Sequence, residues 1–236
     1  MDDEFVSIIY ELEKQGVVTR TFRRLDPERQ EAVVQAILDE AAEVGPADLS
    51  IKGVANRAGV AVGSLYQYFG SRERLLEFTM ELVVHSTVTM FRSYRPYLEA
   101  MPLVEGLKAY LEGGIEWTQQ QLGFARFFAR AAYQGDPDLS QRVVEPVARE
   151  MRAMVDGMLQ AASARGEIRA DADLAALGRV LNTLLIAAAD AQLIPWLNSY
   201  YQALDEQVPP PRYNQALIAL LKNGLLASEP NQEAAQ

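Results

Sequence analysis

Apolar residues along the chain recur at spacings of three and four rather than two, which predicts helices almost throughout. Phe5, Ile8, Ile9 and Leu12 share one helical face, and Gly16 stops that first element. "LDPERQEAVVQAILDEAAEVG" opens with Asp26 as N-cap, Pro27 at the first helical position and Glu28 in the first turn. Val33, Val34, Ile37, Leu38, Ala41 and Val44 make its buried stripe, and Gly45-Pro46 closes it. "SIKGVANRAG" predicts a short helix capped by Ser50 and ended by Gly59, and "VGSLYQYF" predicts another. "SRERLLEFTMELVVHSTVTMFRSY" predicts a long helix from Ser71 to just before Pro96. Further helices are expected near 102–120, 122–134, 138–165, 172–204 and 211–227, with Pro195 kinking or splitting its own. No stretch alternates apolar and polar residues as a strand would, so the fold class is all-α.

Composition narrows the setting. The 236 residues include no cysteine, which fits a reducing compartment. The acidic start "MDDEFVSIIYELEKQ" is unlike a secretory signal. No uninterrupted apolar run reaches the roughly 18 residues of a membrane span, so a cytoplasmic protein with no membrane partner is expected. A net charge of -10 argues against a nucleic-acid binder until its distribution is considered. Residues 1–19 carry five acids and one base, residues 20–74 eight of each, and residues 75–236 nineteen acids and thirteen bases. The neutral segment bunches its arginines at Arg20, Arg23 and Arg24 and again at Arg72 and Arg74, a local basic footprint on an acidic body.

That same segment contains three consecutive helical patterns, the second and third short and joined by a tight turn, which is the outline of a helix-turn-helix. Ala55 and Ala58 are small enough for close helix approach, and Gly59 supplies the left-handed conformation of a sharp turn. Val60 and Leu65 are expected to point inward. Val62, Gly63, Ser64, Tyr66, Gln67 and Tyr68 remain outward, combining a methyl contact, hydrogen-bonding groups and an uncovered backbone. Arg20, Arg23 and Arg24 can form a basic arm reaching an adjacent minor groove, or a solvated charge run.

From "AILDEAAEVG" through "LSIKGVANRAGVAVGSLYQYFGSRERLLE" the chain resembles the tetracycline-repressor (TetR) family of bacterial transcriptional regulators. The resemblance rests on Ala-Gly-Val, a glycine, a small hydroxyl residue, Leu-Tyr, an aromatic-Phe pair and a Ser-basic-Glu helix start. It implies that Ser50, Ser64, Tyr66 and Arg72 bind backbone phosphates and that Val62, Gly63 and Gln67 face base edges. Lys52 also stands where the family often contacts DNA, and Tyr68, at a position where the family has His or Tyr, joins the candidate DNA contacts. Ala61 replaces the hydroxyl N-cap usual at the recognition helix.

Reading a two-fold operator requires two heads, with half-sites about 34–36 Å apart or a multiple of that. The family implies a dimer built from the last helix pair, and Leu181, Leu184, Leu185, Ala188, Leu217, Leu220 and Leu221 are the candidate interface. Trp117, Phe124, Phe127, Phe128, Tyr133, Met154 and Met158, with Met151, concentrate large adaptable side chains suited to an apolar effector, its polar end oriented by Arg130 or Asn182. The expected organisation is an N-terminal extension at 1–24, a helix-turn-helix domain at 25–70, an effector-binding and dimerisation domain at 71–227 and a flexible tail at 228–236.

Enzyme chemistry finds little support. His85 is the only histidine, so the paired Glu-x-x-His motifs of a helical di-metal site cannot be assembled, and no P-loop, Rossmann glycine set or Gly-x-Ser-x-Gly elbow is present. No cofactor is implied. The sequence therefore predicts a ligand-responsive, homodimeric repressor that binds a palindromic double-stranded DNA operator and is released by a small, largely apolar effector. The alternative is a helical adaptor that keeps the head shape without binding DNA.

Overall fold

The computed structural model describes residues 3–226. The expected tail at 228–236 lies outside the described residues. Thirteen α-helices occur among them: α1 (Asp3–Lys14), α2 (Arg20–Arg23), α3 (Pro27–Val44), α4 (Ile51–Ala58), α5 (Val62–Phe69), α6 (Arg72–Ala100), α7 (Leu103–Gln120), α8 (Leu122–Gln134), α9 (Pro137–Leu139), α10 (Glu145–Ala164), α11 (Leu174–Leu193), α12 (Pro195–Tyr201) and α13 (Pro210–Leu225). A 3₁₀ turn (Pro46–Asp48) precedes α4, and a π-helical stretch (Ser140–Val144) leads into α10. The chain forms two compact units: residues to Thr89 with Gln121–Ala148, and Met90–Gln120 with Arg149 onward.

In the first unit the local signals act as the sequence predicts. The Asp26 carboxylate accepts from the Arg29 N–H at 3.0 Å and Pro27 follows it, so α3 begins there. Gly45, at φ +96°, ends it. The Ser50 hydroxyl caps α4 by accepting from the Gly53 N–H at 3.0 Å. The apolar stripes of α1, α3 and α8 converge with α4, α5 and the first half of α6 on one core, which includes Ile9, Leu12, Ile37, Val54, Leu65, Phe78 and Phe127.

The second unit surrounds a separate core of Leu107, Met154, Met158, Leu181, Leu185 and Leu221. Its link from α6 to α7 is fastened by polar contacts. The Arg165 guanidinium donates to the Glu99 and Met101 carbonyls at 2.8 and 2.6 Å. The Glu167 carboxylate accepts from the Leu103 N–H at 2.6 Å.

Three elements differ from expectation. The long helix does not stop before Pro96 but continues through it to Ala100. A proline forfeits one intrahelical hydrogen bond, and here the Arg165 contacts to the last carbonyls hold the end in place. The expected helix at 138–165 is one turn of α9, a π stretch and α10. Residues 20–23, expected as an arm or charge run, form the turn α2, capped by Thr19 and anchored by buried Phe22. The helix at 172–204 does split at Pro195.

One contact fixes how α4 lies on α3. The buried Glu40 carboxylate accepts from the Ser50 hydroxyl at 3.1 Å and from Arg57 Nε at 2.8 Å, tying both ends of α4 to α3. It reaches them across Gly53, where an added Cβ would lie 1.7 Å from Glu40 Oε1. Gly53→Ala therefore displaces Glu40 from both partners and costs about 1–3 kcal/mol. Denaturant unfolding measures this, and an unchanged midpoint would contradict the close approach.

Candidate nucleic-acid interface

The turn between α4 and α5 is built as its residues predict. Gly59 sits at φ +65°, ψ 30°, and the Val60 N–H donates back to the Ala55 carbonyl at 3.1 Å, ending α4 sharply. Ala61 is extended and gives no side-chain cap, so α5 starts with its first N–H groups lacking a side-chain acceptor.

The eight residues of α5 divide into two faces. Leu65 and Phe69 are 0% exposed and fasten the helix to the head. On the other face Val62 is 40% exposed and Tyr66 52% exposed, with Gly63 and Gln67 also in solvent. A Cβ placed on Gly63 meets nothing within 4 Å, so this backbone is open to close approach by a ligand. Lys52 on α4 and Arg74 on α6 are exposed and form no ion pair among the described residues. Ser64 is half-buried at the margin.

Three expected DNA contacts also make contacts within the head. Tyr68 is not outward: it is half-buried, its ring 5.8 Å from Phe22 and 6.4 Å from Phe69, because the last turn of α5 rotates that position onto the α2 surface. The Ser50 hydroxyl is engaged by Glu40 and the Gly53 N–H. Arg72 donates from Nε to the Leu49 carbonyl at 2.7 Å and from Nη2 to the Ala47 carbonyl, clamping the segment that leads into α4. Arg57 is likewise held: its guanidinium donates to the Glu40 carboxylate and then to that of Glu43, and these bonds push its pKa further up. Of the three arginines expected in an arm, Arg23 pairs with Glu13, while Arg20 and Arg24 are exposed.

The expected effector residues fall into both units. Phe127 is fully buried in the head core, with Phe124 and Phe128 packed against that core. Arg130 is half-buried and Tyr133 exposed in the same unit. Met154 and Met158 are buried in the other core, whose unit also holds half-buried Met151, Trp117 and Asn182. These residues thus fill two separate apolar cores rather than one, since their helical stripes point to different partners. The second core contains polar groups of its own. The Asn182 side-chain oxygen is buried without a hydrogen-bond partner. Tyr110, which the sequence reading missed, lies 6.5 Å from Phe91, and burial pushes its phenol well above the ordinary range. A tyrosine inside the apolar stripe of 102–120 was the available signal.

The expected interface residues divide between core and surface. Leu181, Leu185, Ala188, Leu217 and Leu221 are buried within the unit itself, and Leu184 is half-buried. Leu220 alone among the seven is exposed. A leucine stripe marks the core-facing side of a helix, and the opposite side, carrying Val180 and Leu220, was not distinguished from it.

An all-helical chain whose short second helix of a helix-turn-helix faces outward defines a DNA-binding regulator. Residues 33–78 match the family model described as bacterial regulatory proteins, tetR family, and residues 102–208 match a tetracyclin repressor-like C-terminal domain. The chain belongs to the TetR family of transcriptional regulators and is not an enzyme. It is 24% identical over 159 residues to the HTH-type transcriptional regulator BetI 2 of Chromohalobacter salexigens, covering 57% of this chain and 77% of that one. A TetR-family regulator from Chloroflexus aurantiacus has the same fold, with a TM-score of 0.65, 21% identity and coverage of 89% and 99% of the two chains. So does FadR from Bacillus subtilis, solved in complex with stearoyl-CoA, with a TM-score of 0.60, 19% identity and coverage of 82% and 98%.

The Arg72 clamp separates structural from electrostatic roles. Arg72→Ala removes two charge-assisted hydrogen bonds and should destabilise the chain by about 2–4 kcal/mol. In DNA-binding titrations the salt slope should stay unchanged. A slope reduced by about one phosphate equivalent would return Arg72 to the DNA contacts.

Proposed function

We propose that this regulator is a homodimeric repressor whose two α5 helices enter successive major grooves of a palindromic operator, released by a largely apolar effector. The observation that carries the reading is the division of α5, with Leu65 and Phe69 buried behind Val62, Tyr66 and Gln67. The Gln67 amide can pair with an adenine edge and Val62 can contact a thymine methyl. Tyr66, Ser64 and Lys52 stand beside them as phosphate contacts. Selection of bound duplexes from a random library tests this, with enrichment of a palindrome expected. Tyr66→Phe should weaken binding almost uniformly across sequences, whereas Gln67→Ala should alter base preference at one position per half-site. Failure to enrich any sequence favours the adaptor.

Dimerisation is supported by an apolar surface left over within the second unit. The stretch Leu174–Gln192 of α11 is as apolar as a membrane helix yet only 33% buried. Val180 is 58% exposed and Leu220 on α13 is 64% exposed. Exposed Ala176, Ala216 and Ala219 on the same two helices permit close approach of another helix pair. A second copy covers this face best, because a head that reads half a palindrome needs a two-fold partner. The effector reading draws on the buried Asn182 oxygen, which lacks a donor, and on Tyr110. FadR of Bacillus subtilis, solved in complex with stearoyl-CoA, is a precedent for a ligand with a long apolar chain on this fold.

The combined variant Val180→Glu and Leu220→Glu should sediment as a monomer of 26.2 kDa while the parent sediments at twice that mass. A dimeric double variant would place the interface elsewhere.

A further inference from the structure

The residues before α3 lie ahead of the matched head segment, which begins at residue 33. They are nevertheless built into the head. Ile9, Leu12, Val17, Val18 and Phe22 are all buried in its core. The Phe22 ring lies 5.1 Å from Phe69 on α5 and 5.4 Å from Phe78 on α6. Gln30, buried on α3, donates to the Phe22 and Arg23 carbonyls, each at 3.0 Å, and so holds the other end of α2.

The decisive contact is at Thr19. Its hydroxyl donates to the Gln67 carbonyl at 2.6 Å, and its N–H donates to the Tyr68 carbonyl at 2.9 Å. The same hydroxyl accepts from the Phe22 N–H at 3.5 Å, as N-cap of α2. The last carbonyls of a helix have no partner within it, and in α5 two of them, those of Gln67 and Tyr68, are supplied by Thr19, far earlier in the chain. One of these belongs to Gln67, whose side chain faces bases in the reading above. Fixing that carbonyl fixes the Cα–Cβ direction of the same residue.

We infer that Thr19 is a positioning residue for operator recognition, through which the N-terminal extension sets the aim of Gln67 from outside the helix-turn-helix. The inference rests on the DNA-binding reading. Threonine suits the task because one hydroxyl must donate to α5 and accept from α2, which serine can also do and valine cannot. Base-edge hydrogen bonds depend steeply on angle, while phosphate contacts tolerate a shifted helix end. Losing the Thr19 link therefore erodes sequence discrimination before it erodes general affinity.

The test uses the full chain, the selected duplex and a duplex of scrambled bases, titrated over a range of salt. Thr19→Val should lose about 5- to 10-fold on the selected duplex, the worth of one hydrogen bond, and less than about 2-fold on the scrambled one. Its salt slope should match the parent, and Thr19→Ser should restore discrimination. Equal losses on both duplexes, no loss, or a shallower salt slope would each overturn the role. Amide exchange of the unaltered chain gives an independent arm: the Thr19 amide should exchange as slowly as those of Leu65 and Phe69, and rapid exchange refutes the link. A parent chain that selects no duplex defeats the DNA-binding reading itself, whereas a parent that selects and a Thr19→Val variant that selects equally well defeats only this inference.

Discussion

A helix of eight residues does not persist in water by itself, and the base-reading face proposed for this molecule is carried on one. Its shape is imposed from behind. Leu65 and Phe69 enter the head core, each contributing about 1.5–3 kcal/mol of burial, and the turn at Gly59 sets where the helix begins. Once those two side chains are seated, helical geometry leaves no choice for Val62, Gly63, Tyr66 and Gln67, which must face solvent. The rest of the first unit holds that arrangement still. Glu40 fastens α4 to α3, Arg72 fastens the lead into α4, and Phe22 fills the gap between α5 and α6.

The charge distribution acquires a meaning from these contacts. Four of the seven arginines between residues 20 and 74 are committed to carboxylates or carbonyls: Arg57 to Glu40 and Glu43, Arg72 to Ala47 and Leu49, Arg23 to Glu13 and Arg29 to Asp26. Lys52, Arg74, Arg20 and Arg24 are left exposed without an ion pair among the described residues. With few free cations on a chain of net charge -10, general attraction to phosphate is modest, and in the proposed mode of binding geometry at α5 carries a large share of discrimination. Precise placement of Gln67 matters more under those conditions than it would on a strongly basic surface.

Much of the fold was legible because its signals are local. Asp26-Pro27, Ser50, Gly59 and Pro195 each act within a turn of where they stand, and each marks the boundary it predicts. The outward face of α5 was legible for the same reason, through Leu65 and its neighbours. What escaped depends on distant partners. Tyr68 turns inward because Phe22 lies beside it, Arg72 folds back because Ala47 and Leu49 offer carbonyls, and the helix continues past Pro96 where Arg165 supports its end. Periodicity identifies a leucine stripe on α11 and α13 but cannot say whether a core or another subunit covers it. The structure assigns that stripe to the unit's own core and leaves Val180 and Leu220 outside.

In the proposed mode of binding, α5 meets DNA with the face opposite Leu65 and Phe69. Titration of isotope-labelled protein with its selected duplex, followed by amide and side-chain NMR shifts, tests this most directly. The largest changes are expected at Lys52, Gly63, Tyr66 and Gln67, with the methyl and ring signals of Leu65, Phe69 and Phe22 nearly still. Shifts centred on another surface, or a rearranged Phe22–Phe69 cluster with an undisturbed Gln67, would contradict it.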